Sequence, residues 1–212
     1  MVPIDIYKKM IIAIDGPAAS GKGTIGKRIA DYFSLPHLDT GSLYRLAAHH
    51  IIENNIDPYD INNIIKSSKE INFSEKKLLD IRDSNVSYTA SIISQYKELR
   101  ELLIDYQRNF ASDGGVVDGR DIGSKVFKNA DIKLFIRVNS EIRAKRRHKQ
   151  LIELGEKSIY AQILKEINLR DKTDKNRLQS PLVVPKGAII IDNSKKFLHT
   201  KILIDQAFNK IK

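Results

Sequence analysis

The chain has 212 residues, 42% of them hydrophobic, with 36 Lys and Arg against 26 Asp and Glu, a formal charge of +10. That is enough apolar material for a full core in one α/β domain, and the absence of cysteine excludes disulfide scaffolds, cysteine-ligated zinc and thiol catalysis. No apolar run approaches the roughly 18 residues of a membrane span, and the first residues lack the apolar core of a signal peptide, so a reducing, cytoplasmic setting without a membrane partner is expected.

Short aliphatic runs alternate with longer amphipathic segments, and there is no internal repeat. In chain order, Met10–Ile14, the shorter Pro36–Leu38, Gly115–Val117, Asp131–Val138 and Ala188–Ile191 read as strands. They are continuous apolar runs rather than polar/apolar alternations, as expected of a parallel sheet covered on both faces. Helices are predicted over 22–33, 41–54, 86–110, 140–153, 159–172 and 196–211, which makes a series of βαβ units. Two stretches depart from the alternation. Asn72–Leu78, flanked by Ile71 and Leu79–Ile81, reads as a hairpin turn inside a small, core-poor insert at about 56–82. Residues 146–174 are highly charged with few large apolar anchors, which suits a mobile flap.

Four strand candidates run into an acid: Asp15, Asp39, Asp118 and Asp192. Ligands of open α/β sheets sit outside the carboxyl ends of the strands, so these acids are expected to face a common site, although any single one is more often a helix cap. Beside the first lies Gly16-Pro17-Ala18-Ala19-Ser20-Gly21-Lys22-Gly23-Thr24, between a strand and an amphipathic helix. Glycines there let successive backbone N–H groups converge on phosphate oxygens, the helix N-terminus adds positive potential, and Lys22 reaches the β/γ phosphates. Gly23 separates Lys22 from Thr24, as in nucleoside-monophosphate kinases. Asp-x-x-Gly and Asn-Lys-x-Asp motifs are absent, which rejects a GTPase.

Further motifs follow: Asp39-Thr40-Gly41-Ser42-Leu43-Tyr44-Arg45, Val86–Ser91, Glu98-Leu99-Arg100, Asp118-Gly119-Arg120-Asp121-Ile122-Gly123 and Arg170-Asp171-Lys172-Thr173-Asp174-Lys175-Asn176-Arg177. With this set, nearly end to end, the sequence resembles the bacterial cytidylate kinases. The resemblance implies a P-loop NTPase-type parallel sheet flanked by helices, in a single domain. Its core is about 1–45, 111–147 and 175–212, its nucleotide-binding insert about 46–110 and its lid about 148–174. It also implies transfer of the γ-phosphoryl group of ATP, with Mg²⁺ carried by ATP and no protein metal ligand, to CMP or dCMP.

Residue by residue, the resemblance gives Gly16, Pro17, Ala18, Ala19, Ser20, Gly21, Lys22, Gly23 and Thr24 to ATP, with Arg146 and Arg147 approaching it where the lid begins. Arg45 and Arg120 grip the acceptor phosphate, and Arg177 bridges the transferring groups. Ser91, Arg100 and Asp121 read the cytosine ring. Thr40, Arg170 and Asp174 surround the sugar, and Asp39 joins the CMP-binding residues. Lys22, Arg120, Arg177, Arg170 and Asp174 form the catalytic group.

The chemistry asks for the same residue types on its own terms. Phosphoryl transfer needs positioning and charge neutralisation, and the planar fork of arginine grips phosphate bidentately where lysine does not. Asp121 pairs naturally with the amino donor of cytosine, or it orients Arg120 through an ion pair. Arg143 and Lys145 divide evenly between the site and a solvated helix face. The five histidines show no metal-ligand spacing, and no Gly-x-Ser-x-Gly elbow occurs. Two rivals stand beside this reading: a P-loop kinase with another small acceptor, and a basic module contacting RNA without turnover. The aromatics show no RNA-stacking motif, so no nucleic-acid partner is expected, and the protein is expected to be a monomer.

Overall fold

The computed structural model describes residues 9–73, 84–153 and 155–194. In chain order these form β1 (Ile11–Asp15), α1 (Lys22–Phe33), β2 (His37–Asp39), α2 (Thr40–Glu53), α3 (Ile61–Ser68), α4 (Ser84–Ile93), α5 (Lys97–Phe110), β3 (Gly115–Gly119), β4 (Ile132–Arg137), α6 (Ser140–Glu153), α7 (Tyr160–Asn176) and β5 (Ile189–Asp192). A single π-helical turn, Ile122–Val126, follows β3. The strands form one parallel sheet in the order β2-β3-β1-β4-β5. Among the described residues no helix is long and apolar enough to cross a membrane.

The continuous apolar runs have a direct structural cause, because the central strands are covered on both faces, while Ile190 of the edge strand β5 stays exposed. Ala13, Val117 and Leu38 pack against Leu43, Ala47 and Ile51 of α2, Ile93 of α4 and Leu99 and Leu103 of α5. On the other face Ile12, Ile14, Val116, Leu134 and Ile136 pack against Ile25 and Ile29 of α1. Alternate residues therefore face opposite layers, and both sets are mainly apolar.

The register positions the site. Ile14 pairs with Asp118 and Asp15 with Gly119, while Asp39 pairs with Asp118. The carboxyl ends of β2, β3 and β1 are thus level, and the segments leaving them emerge side by side.

The structure departs from the sequence expectations in several places. The helix expected over 86–110 is two helices, broken at Ser94-Gln95-Tyr96. Ser94 Oγ bonds back to Ser91 O at 3.0 Å, and Ser94 O accepts from Arg100 Nη1 at 2.9 Å, so local polar contacts replace the helical ladder there. The stretch at 56–82 is not core-poor. It contains α3, capped by Asp60, whose side chain accepts from Asn63 N, and Ile64 and Phe73 are buried in the larger core. The hairpin expected around 71–81 lies for the most part outside the described residues, as does the helix expected at 196–211. The charged flap also has anchors: Leu151, Ile163 and Ile167 pack with Ala144 in a small cluster of their own. Asp192 is exposed and accepts from Ser194 N at 2.8 Å, which makes it a turn-forming acid rather than a fourth acid of a common site.

Candidate functional site

Between β1 and α1 the chain makes the expected phosphate loop. Gly21 sits at the N-cap of α1 with φ 84°, and Ala19 is also left-handed at φ 55°. A Cβ on Gly21 would lie 2.6 Å from Asn193 Nδ2, and one on Gly16 would lie 2.8 Å from Ile136 O, so both glycines are dictated by close approach. Two loop carbonyls are held from outside. Arg143 Nη1 donates to Ala18 O at 3.2 Å, and Asn193 Nδ2 donates to Ser20 O at 2.8 Å. With these carbonyls engaged, the loop's N–H groups are left to converge on an anion at the helix N-terminus. Arg146 Nη2 donates to Asn193 O at 2.6 Å, which brings it to the loop. Arg147 is engaged instead with Gln150 Oε1 at 3.1 Å, further along α6.

Lys22 opens α1, with Nζ 4.0 Å from Asp118 Oδ1. Burial, reinforced by the positive charge of Arg120, lowers its pKa to about 8. The other oxygen of Asp118 lies 2.8 Å from His37 Nε2, and Thr40 Oγ1 donates to Asp118 O at 2.8 Å. At the head of α2, Asp39 accepts from Gly41 N and from Arg45 Nη2, both at 2.9 Å. Burial pushes Asp39 up, but Arg45 and Lys22 outweigh it and hold the carboxyl below its ordinary range.

Beyond β3 stand two ion pairs, one buried and one part-buried. Arg100 Nη2 meets Asp121 Oδ2 at 2.6 Å, and Arg120 Nε meets Asp174 Oδ2 at 2.8 Å. Asp121 is therefore partnered by Arg100, with Arg177 Nη2 at 3.9 Å from its other oxygen, and it does not orient Arg120. Arg177 caps the end of α7, donates from Nε to Ser180 O at 2.6 Å and lies 3.7 Å from Asp174. Burial pushes Asp174 up, yet Arg120 and Arg170 pull it below the usual carboxylate range. Arg170 is lowered to about 10 by burial and by Arg120. Ser91 is half-buried on α4, which packs against α2.

Tyr44 Oη, Arg100 Nε, Arg170 Nε and Arg177 Nη2 are all buried without a hydrogen-bond partner. Arg100, Asp121 and Arg177 all act electrostatically on Tyr44, and burial raises its hydroxyl to about 12. Unpaired buried polar atoms are rare in folded proteins, and a group of them beside four cationic side chains fits a polar, anionic ligand. Among the described residues no three His, Asp or Glu side chains gather to hold a metal ion. A divalent ion that retains waters and sits on phosphate oxygens fits this chemistry without such a cage.

Several contacts around the site go beyond what the motifs show. Asp15 accepts from Ile122 N at 2.7 Å and from Gly123 N at 2.8 Å, joining β1 to the segment behind Arg120 and Asp121. Burial, outweighing those two bonds, raises its pKa to about 7. Tyr44 belonged to a recognised motif, but nothing in a motif says which members are buried. Arg143, which the sequence divides evenly between the site and a solvated helix face, is 2% exposed and lies against the loop. Asn193 had no signal at all, since the Ser20 carbonyl that its side chain holds lies 173 residues away.

Comparison with known proteins bears on this geometry. The family model described as "Cytidylate kinase" matches residues 12–212. The cytidylate kinase of Rickettsia bellii is 44% identical over 91% of this chain and 88% of its own length. That of Acidiphilium cryptum is 40% identical over 89% of each chain. Among solved structures, an uncharacterised protein from Eubacterium ventriosum aligns over 94% of this chain and 98% of its own, with TM-score 0.51 and 15% identity, a likeness of fold alone.

Proposed function

The chain belongs to the cytidylate kinase family, and from that premise we propose how its residues carry out the reaction. It transfers the γ-phosphoryl group of ATP to CMP or dCMP, giving ADP and CDP or dCDP. Gly16–Thr24 hold the triphosphate, with Lys22 on the β/γ oxygens and Arg146 at the edge of the loop; Arg147 joins them once the lid has moved. Mg²⁺ brought by ATP would supply further neutralisation of the phosphate charge that Lys22 and the loop N–H groups meet.

Arg45 and Arg120 grip the acceptor phosphate, and Asp174 holds the fork of Arg120 in place. Arg170 and Arg177 complete the positive surround of the transferring group, where charge is spread over several oxygens and fixed donors are effective. Thr40, Arg170 and Asp174 surround the sugar, with Asp39 keeping Arg45 oriented. Asp121, steadied by Arg100 and helped by Ser91, accepts from the cytosine amino group. The core comprises about 1–45, 111–147 and 175–212, the acceptor-binding segment about 46–110, and the lid about 148–174, which closes to exclude water. The protein acts as a cytoplasmic monomer on free nucleotides, without a nucleic-acid partner.

The observation that carries this reading is the pair of Arg–Asp contacts beyond β3, the buried Arg100–Asp121 and the part-buried Arg120–Asp174, accompanied by buried polar atoms without a hydrogen-bond partner. The test is ADP release with ATP and a panel of CMP, dCMP, UMP and AMP. CMP and dCMP should be the favoured acceptors. Preference for AMP, or turnover with none of them, would overturn the assignment.

A further inference from the structure

Arg143 lies in the first turn of α6, where Asn139 caps the helix through Ile142 N at 2.9 Å. Its guanidinium reaches three separate parts of the molecule. Nε donates to Val138 O, just beyond β4, at 3.1 Å. Nη1 donates to Ala18 O in the phosphate loop at 3.2 Å and to Asp171 Oδ1 at 3.0 Å, and Nη2 donates to Asp171 Oδ2 at 2.5 Å. Asp171 sits on α7, next to Arg170 and three residues before Asp174, both of which face the acceptor side.

Among the described residues helix α7 packs chiefly on α6, through the small cluster of Ala144, Leu151, Ile163 and Ile167, which is separate from the two clusters on the sheet. Its placement relative to the reacting groups therefore depends on polar ties at its C-terminal half. Arg120–Asp174 ties it to the acceptor side, and Arg143–Asp171 ties it to the donor loop. We propose that Arg143 is a positioning residue that couples the phosphate loop to α7, setting the separation between donor and acceptor phosphates rather than the affinity for either nucleotide. This rests on the kinase reading above and adds to it a residue touching neither substrate.

The physical case is one of geometry. A buried planar cation with donors fanned in one plane can hold a carboxylate through two parallel bonds while a third and fourth N–H engage carbonyls. Lysine, a point charge, would satisfy Asp171 or Ala18 O but not the whole set. Misplacement of reacting groups by about 1 Å costs on the order of a hundredfold in rate, whereas each half-site binds its own nucleotide through its own contacts.

The experiment compares wild type with Asp171→Asn and Arg143→Lys. The readouts are thermal stability, affinity for a non-hydrolysable ATP analogue alone, affinity for CMP alone, and affinity for a bisubstrate in which adenosine and cytidine are joined by a phosphate chain. Asp171→Asn should leave the two single-nucleotide affinities within about twofold while bisubstrate affinity and kcat fall about tenfold or more. The double variant should lose no more kcat than the worse single variant, because both act through one contact. Should Asp171→Asn not fold, Asp171→Glu keeps the charge and displaces it by one methylene. Unchanged bisubstrate affinity, or equal loss of all three affinities together with stability, overturns the coupling. A wild-type protein that binds both nucleotides yet does not phosphorylate CMP overturns the kinase reading instead.

Discussion

Asp15 ends β1 fully buried, with each carboxylate oxygen accepting a backbone N–H from the segment that carries Arg120 and Asp121. In Asp15→Asn one of those acceptors becomes an N–H₂ group facing another N–H, so the variant should lose about 1–3 kcal/mol of stability. The pH dependence has a definite sign. The native carboxyl titrates near 7 and the unfolded one near 3.8, so between these values the folded protein binds more protons, and this contribution to stability falls as pH rises. Melting temperatures of the two proteins should therefore converge from pH 4 to pH 7 and stay parallel above it; a constant gap would refute the assignment.

Lys22, lowered to about 8, must be protonated to meet phosphate, so KM for ATP should rise by up to about tenfold per unit above pH 8, as initial rates would show. Lys22→Ala should keep the fold and lose on the order of a hundredfold or more in kcat. Asp121→Ala should cut kcat/KM for CMP by about 10- to 100-fold and leave UMP nearly unchanged. Equal losses with both acceptors would reduce Asp121 to a partner of Arg100.

Among the elements, the sequence reads the insert at 56–82, which holds α3, and the 148–174 segment of α6 and α7 alike as core-poor. The structure separates them: Ile64 of α3 is wholly buried in the main core, whereas α7 rests on a four-residue cluster apart from it. Amide hydrogen exchange should reflect this difference. Residues 61–68 should be protected with or without nucleotide, and residues 148–174 should slow only when ATP and CMP analogues are bound together. Unchanged exchange in 148–174 would remove the lid. The break between α4 and α5 illustrates what period alone misses. Both halves carry a helical pattern, and the interruption comes from Arg100 reaching back to Ser94 O on its way to Asp121.

Over the whole molecule, five arginines from distant segments gather at the candidate site. Arg45, Arg100, Arg120, Arg170 and Arg177 come from α2, α5, the turn after β3, and α7 with its cap, and only the parallel register brings them together. Binding of anionic nucleotides to such a cleft is screened by salt. Raising KCl from 50 to 500 mM should therefore increase KM for both ATP and CMP several-fold and change kcat much less. A KM indifferent to salt would mean that the arginines are already neutralised by their acids.

The sequence by itself determined the parallel α/β sheet, the phosphate loop and most of the arginines and acids proposed for the site. Those features are local or periodic: apolar runs at strand spacing, glycines at close approaches, and charged motifs next to strand ends. Tertiary structure alone decided which acid each arginine meets. It pairs Asp121 with Arg100 and Asp174 with Arg120, turns Asp192 into a surface turn, and buries Arg143 between the phosphate loop and Asp171. Pairing across 21, 54 or 125 residues leaves no trace in spacing, because it depends on where the sheet register delivers each strand end and on how much water each charge loses there.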